Sequence, residues 1–314
     1  MGLRGLERLP DRIRERVSLS HGSADSAETA VSAPVDYLGE GLLTDARRHQ
    51  QQPGPPLQAA ATRLASLAVV GHLVRELDVA AIRLVLRTSK ASILEALDKL
   101  LPPHSAEEAP PDSEEIELHE GSTKLRNDGQ SLVADVGPGE LPRALRGILV
   151  DALDRRGGAL LHGAAVVVED QAVLCIAPSE GGKTTLCGKL AGRLPVLSDE
   201  TVALRLDGPG PQLGGTPFWS GDRLPTASGL FRLAAICFLR KGPNQLTPMG
   251  QREALSELLL EWHLPERPDA AADALARANA LVSAVPLFAL HSTLEGDPLP
   301  LLRRAAQAGM QRAV

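Results

Sequence analysis

The chain has 314 residues, 43% hydrophobic and 23% charged, which is enough apolar material for a sizeable core shared by roughly two domains of about 100 to 200 residues. A net charge of −6 with no local basic patch gives no attraction to polyphosphate backbones, so no nucleic-acid partner is expected. No run approaches the roughly 18 apolar residues of a membrane span, and Cys175, Cys187 and Cys237 show no paired spacing, so reduced thiols and a cytoplasmic, membrane-free protein are expected.

Residues 1–55 mix Arg with Glu7, Asp11 and Glu15, lack the apolar core of a signal or transit peptide, and end in HQQQPGPP. Such a composition buries little surface and predicts a flexible arm. A small α/β domain is expected over 56–156. Its apolar residues first recur at helical spacing (Leu64, Leu67, Val70, Leu73, Val74, Leu77), then "AAIRLVLR" predicts a strand and Ser89 to Leu101 a helix. PPHSAEEAPPDSEE is a Pro-rich acidic linker, followed by short strands in "IELHEG", "STKLRNDG" and "QSLVADVG", with Asn127-Asp128-Gly129 as a hairpin turn. Leu141 to Arg155 predicts a helix.

The second domain, 157–314, opens after Gly157-Gly158 with two apolar strands, "ALLHGAAVVVED" and "QAVLCIAP", split by a turn at Glu169-Asp170. The second strand runs into CIAPSEGGKTTL. This matches the phosphate-loop pattern G-x-x-x-x-G-K-[ST] at Gly182, Lys183 and Thr184, with Ala177 in place of the first glycine. A helix is expected from Thr184 to about Gly192, so the motif has the strand–loop–helix context it needs. Further along, "LPVLSDETVALRL" and "LFRLAAICFLRK" read as strands, and Ala254 to Trp262 and Asp269 to Ser283 as helices.

In such a loop the main-chain N–H groups and the positive end of the following helix hold phosphate oxygens. The expected nucleotide contacts are Ser179, Glu180, Gly181, Gly182, Lys183, Thr184 and Thr185. Lys183 would bridge the outer phosphates of ATP, Thr184 would hold Mg²⁺ and Thr185 would reach the α-phosphate. Asp199 and Glu200 end an apolar strand sixteen residues beyond Lys183. That interval fits one helix and one strand, returning both acids to the loop's edge of a parallel sheet on an adjacent strand. There Asp199 can hold Mg²⁺ or accept the proton of an attacking hydroxyl. His162, beside apolar residues on the preceding strand, fits a core position as well as a site.

The order H-G-x-x-V, strand, A-P-S-x-G-G-K-T-T-L, helix, x-S-D-E-x-V-x-L resembles the catalytic domain of the bacterial HPr kinase family, which shares the nucleotide site of PEP carboxykinases. The resemblance is specific over His162 to Leu206. It extends more weakly through Gly215-Thr216-Pro217-Phe218-Trp219-Ser220-Gly221 and Ala234 to Leu239, to about Leu302. It implies an α/β fold with a P-loop kinase core behind a small α/β segment. It also implies Asp199 as proton acceptor, His162 at the phosphate site, and Thr184, Asp199 and Glu200 around Mg²⁺. Glu200 stands where the family has a second Asp. The Arg-rich segment of true HPr kinase/phosphorylases is absent, with Arg223 the nearest substitute, so neither dephosphorylation nor HPr itself as substrate is implied.

The expected function is therefore an ATP- and Mg²⁺-dependent kinase. Its acceptor is a hydroxyl, seryl by preference, of a small protein, peptide or metabolite, and Asp199, His162 and Lys183 are its catalytic residues. The loop Gly215 to Gly221, with Phe218 and Trp219 in a chain only 2% aromatic, is the candidate for acceptor recognition. A nucleotide-binding switch without an acceptor, or a scaffold whose Ala177 loop binds no ATP, are the alternatives. A homo-oligomer fits the sequence as well as a monomer.

Overall fold

The computed structural model describes residues 68–69, 72–80, 82–100, 114–119, 124–127, 132–135, 138–218, 220, 227 and 229–312. The expected arm, 1–55, lies outside the described residues, as do Leu64, Leu67, Trp219, Arg223 and most of the acidic linker.

Strands β1 (Ala68–Val69), β2 (His72–Val79), β3 (Ile82–Thr88), β4 (Glu114–His119), β5 (Lys124–Asn127) and β6 (Leu132–Asp135) form a six-stranded sheet in the order β1-β2-β3-β4-β6-β5. The helical spacing read over Val70 to Leu77 is overturned by β2. Register sets Leu73, Leu77 and Val79 opposite Thr88, Leu84 and Ile82, around a tight connection in which Ala80 has φ 51°. Apolar residues four apart share a face in a strand as well as in a helix, and pairing with β3 decides between the two. β5 and β6 pair antiparallel, as the Asn127-Asp128-Gly129 signal predicts.

Helix α1 (Ala91–Leu100) follows β3, and the hydroxyl of Thr88 accepts the N–H of Lys90 at 3.1 Å at its entry. Helix α2 (Leu141–Arg155) carries Pro142 in its first turn, where a missing N–H costs nothing. Its buried residues Leu141, Leu145, Ile148, Leu149 and Ala152 recur at helical spacing. They share one core with Ile82, Leu84 and Leu86 and also with Leu160 and Ala203 of the second sheet, so α2 is packed between the two sheets.

That second sheet has ten strands: β7 (Ala159–His162), β8 (Ala164–Val168), β9 (Gln171–Ile176), β10 (Val196–Ser198), β11 (Thr201–Arg205), β12 (Gln212–Gly214), β13 (Leu230–Lys241), β14 (Gln245–Pro248), β15 (Trp262–His263) and β16 (Leu287–Ser292). The long strand β13 joins two halves. Its first residues pair antiparallel with β12, leading on to β11, β7 and β15. Its remainder runs parallel between β9 and β16. Helices α3 (Lys183–Leu190), α4 (Gln251–Leu260), α5 (Ala270–Ala284) and α6 (Leu299–Arg312) complete a mixed α/β fold. None of the described helices is long and apolar enough to cross a membrane.

Strand period two divides the core. Ala172, Leu174 and Ile176 of β9 face a cluster shared with α4 and α5, whereas Val173 and Cys175 face one shared with α3 and α6. All three cysteines are free and buried; burial pushes the Cys187 and Cys237 thiols up to about 12 and the Cys175 thiol well above its ordinary value, which leaves them unreactive.

Three further expectations need correction. "ALLHGAAVVVED" is two strands, because Gly163 interrupts it where an added Cβ would lie 3.1 Å from the side chains of Ile176 and Leu174. Consequently β8 runs antiparallel between β9 and β10, so the loop strand and the acid strand are neither adjacent nor part of an all-parallel sheet. They still point the same way, since both are antiparallel to β8. Finally, α4 stops at Leu260, and Trp262, 4% exposed, pairs with Leu161 in the sheet instead of ending the helix.

Candidate functional site

β7 passes into β8 at His162-Gly163, and β10 passes into β11 at Asp199-Glu200. Each pair leaves one half of the sheet for the other at the same place: Thr201 lies opposite His162, and the N–H of Gly163 donates to the carbonyl of Glu200 at 2.9 Å. At this split, side chains escape from the layers, as at the crevice of a topological switch point. Ser198 fixes the bend. Its Oγ accepts the N–H groups of Glu200 and Thr201 at 3.2 and 3.1 Å and donates to the carbonyl of Phe218 at 3.3 Å.

The phosphate loop leaves the end of β9 and enters α3 on the same edge. Glu180 and Gly182 have φ of +61° and +94°, and the N–H of Gly181 donates to the carbonyl of Pro178 at 3.0 Å. Glycine at 181 is required by space. An added Cβ would lie 2.5 Å from that of Ala177 and 2.8 Å from the Pro178 oxygen. The Ala177 methyl thus fills the room that Gly181 leaves, so the departure from the motif is accommodated inside the loop.

Lys183 is 7% exposed. Its Nζ donates to the carbonyls of Ala177 at 2.6 Å and Pro178 at 3.3 Å, folding the side chain back over its own loop. Burial lowers its pKa, against the opposing fields of Glu261, Glu200 and Asp199. Asp199 is 1% exposed and accepts the N–H of Ser220 at 3.2 Å on Oδ1 and its hydroxyl at 2.7 Å on Oδ2. The Ser220 Oγ lies also 2.8 Å from Thr184 Oγ1. His162 presents Nδ1 to Glu261 Oε2 at 2.8 Å, which fixes the ring. Its own N–H donates to the Glu261 carbonyl at 2.8 Å.

All the expected site residues border one cavity of about 250 Å³: His162, the loop from Ser179 to Thr185, Asp199 and Glu200, with Ser220 added. Glu200 is drawn to its rim, where Arg146 Nη2 of α2 donates to Oε1 at 2.7 Å. The Arg146 guanidinium stands 4.8 Å over the Phe218 ring, and Phe218 is 3% exposed, so this aromatic is packed into the core and presents no surface of its own for acceptor recognition.

An adjoining cavity of about 350 Å³ shares Glu180, Gly181, Gly182 and Thr185 and extends to Leu186, Lys241, Leu290 and Leu294. Leu294 is 82% exposed, a large apolar surface placed at its mouth.

Sequence reasoning missed Ser220 and Glu261. The first sat in an aromatic loop, and the second lay in the last turn of a predicted helix, ninety-nine residues from the histidine it holds. No local signal marked either; the pairing of β15 with β7 brings Glu261 there. Among the described residues, no cluster of three His, Cys, Asp or Glu side chains could hold a metal unaided. The hydroxyl of Thr184 and the carboxylate of Asp199, bridged by Ser220, are nevertheless hard oxygen donors of the kind Mg²⁺ takes when phosphates supply its other ligands. No protein-family model matches the chain, and no curated protein matches it at a significant level.

Proposed function

We propose that the chain is an ATP-dependent phosphotransferase of the HPr-kinase-like kind, which moves the γ-phosphoryl group to a hydroxyl of a small protein, peptide or metabolite. One observation carries the reading. A carboxylate only 1% exposed, already accepting a hydroxyl proton at 2.7 Å, faces a phosphate loop across a cavity bordered also by a buried lysine.

The division of labour follows from position. Main-chain N–H groups from Gly181 to Thr185 take the phosphates, and Lys183 exchanges its two carbonyl partners for phosphate oxygens, a stronger charge-assisted pairing. The adjoining cavity, apolar at Leu186, Leu290 and Leu294, has the size and wall chemistry of a nucleoside pocket. Thr184 and Asp199, together with the phosphates, would hold Mg²⁺, which would neutralise the charge that develops during transfer. Asp199 accepts the proton of the acceptor hydroxyl, and His162, oriented by Glu261, lines the phosphate end. Glu200 acts through Arg146 and orders the bend that carries Asp199.

Calorimetric titration with Mg-ATP, followed by incubation with γ-labelled ATP and candidate hydroxyl acceptors, tests the reading. Binding together with acceptor-dependent ADP formation is expected. Absence of Mg-ATP binding overturns it, and ADP formation with water alone replaces it with the nucleotide-switch alternative.

A further inference from the structure

We infer that Ser220 is itself a phospho-acceptor, modified in cis by the site it borders; the inference rests on the phosphotransferase reading. A serine hydroxyl is a weak nucleophile until a base takes its proton, and the usual mark of an activated one is a base within about 2.6–3.2 Å. Ser220 Oγ donates to Asp199 Oδ2 at 2.7 Å, inside that range. Asp199 is buried, and among the described residues both hydrogen bonds that its carboxylate accepts come from Ser220, so base and hydroxyl are matched to each other.

The same oxygen is 2.8 Å from Thr184 Oγ1, the loop hydroxyl that follows the phosphate-binding lysine. A phosphate chain lying along Gly181 to Thr185 ends beside Thr184, and hence beside Ser220. Position is also imposed from behind, because Phe218, two residues earlier, is fixed by Ser198 through its carbonyl and by Arg146 over its ring. A hydroxyl held in place between a base and the phosphate end of the loop is where an acceptor belongs.

The step balances without any further reactant. Ser220 Oγ forms a bond to the γ-phosphorus of ATP, and the bond from that phosphorus to the oxygen bridging to the β-phosphate breaks. The electron pair leaves with ADP, and the seryl proton passes to Asp199 Oδ2. The product is a phosphoserine of roughly −1.5 to −2 charge near neutral pH, which the Asp199 carboxylate repels once it has released that proton to solvent.

The test uses the full chain, treated with phosphatase and then incubated with Mg-ATP, with Mg-ATP affinity measured in parallel. Intact mass should rise by one phosphoryl group, and peptide sequencing should place it on Ser220. The first-order rate should not change with protein concentration, as transfer in cis requires. Ser220→Ala should lose the added mass, Ser220→Thr should yield phosphothreonine, and Asp199→Asn should slow modification by roughly 10²- to 10⁴-fold. A wild-type chain that binds Mg-ATP and gains no phosphate overturns the inference and leaves the phosphotransferase reading intact, as does a phosphate that persists in Ser220→Ala. A wild-type chain that binds no Mg-ATP overturns both.

Discussion

The loop from Ala177 to Thr185 is nine consecutive residues whose shape rests on main-chain conformation, whereas the corner facing it draws His162, Asp199, Ser220 and Glu261 from four separate segments. In the loop, positive φ at Glu180 and Gly182 and the contact between Gly181 and Ala177 leave little freedom. In the corner, each acidic side chain is matched to its own partner: Asp199 to Ser220, Glu261 to His162, Glu200 to Arg146. A binding surface made of backbone is specified locally, while a set of reacting groups needs the whole sheet to bring it together. Binding and chemistry should accordingly separate under mutation.

The largest effect is expected on the loop side. Lys183→Ala removes the one loop cation, and titration calorimetry should find no measurable Mg-ATP binding and no transfer, since the buried ammonium facing the phosphates is lost. Retained binding would merge the two regions into one. On the corner side, Asp199→Asn keeps shape and hydrogen bonding but loses proton affinity, so transfer to an external acceptor should fall by roughly 10²- to 10⁴-fold while Mg-ATP affinity falls far less. If affinity falls with rate, Asp199 serves chiefly as a metal ligand, and the corner belongs to binding after all.

How much of this was legible in the sequence follows the same division. Gly182, Lys183 and Thr184 are contiguous, so the loop could be read directly, and the sixteen-residue interval to Asp199 correctly implied a return to the same edge. The route was misread, because Gly163 looks like one small residue in an apolar run. In the fold it marks the exchange of partners from β11 and β15 to β9 and β10. Register is a property of pairs of strands, and a single strand's pattern does not contain it. The same limit explains Leu73, Val74 and Leu77, whose spacing suits a helix until β3 pairs with them. Glu261 and Ser220 were invisible for a related reason: their partners lie 99 and 21 residues away in sequence. Phe218 was conspicuous by its rarity, yet rarity marked an anchor under Arg146.

A middle-sized effect sharpens the claim that loop shape is local. Gly181→Ala places a methyl 2.5 Å from the Cβ of Ala177, an overlap that forces the loop to shift. Overpacking of this sort costs about 1–3 kcal/mol, equivalent to about 5- to 150-fold in Kd for Mg-ATP if the strain falls on the binding conformation. The double variant Ala177→Gly with Gly181→Ala should recover part of that loss, since one of the two clashing atoms is gone while the Pro178 oxygen, 2.8 Å away, remains. Titration of both variants decides the matter. No recovery would mean that the Pro178 contact dominates.

The smallest effect on the site is expected from Asp154, which lies near the C-terminal end of α2 and ties that helix to the C-terminal half. Its carboxylate accepts Arg267 Nε at 2.8 Å and Arg277 Nη1 at 2.5 Å. Burial pushes its pKa up, but the hydrogen bonds from Arg267 and Arg277 and their charges outweigh this, and the net shift is downward. A carboxylate depressed in the folded state contributes stability above its unfolded value of about 3.9, and that contribution is lost as pH falls through the folded value. Asp154→Asn should therefore destabilise by about 1–2 kcal/mol near neutral pH, the lower part of the range for charged hydrogen bonds because the side chain of Arg267 is 35% exposed. For a unit of this size that corresponds to a Tm lower by roughly 2–8 °C. The gap between variant and wild type should begin to narrow below about pH 3.9 and close as pH falls through the lowered folded value, where the wild-type carboxylate takes up its proton. Mg-ATP affinity should not change, because the loop's geometry is set within its own nine residues. Loss of affinity in Asp154→Asn at a temperature where the variant remains folded would show that α2 transmits to the loop, and the contrast between a locally specified cradle and a globally assembled corner would fail.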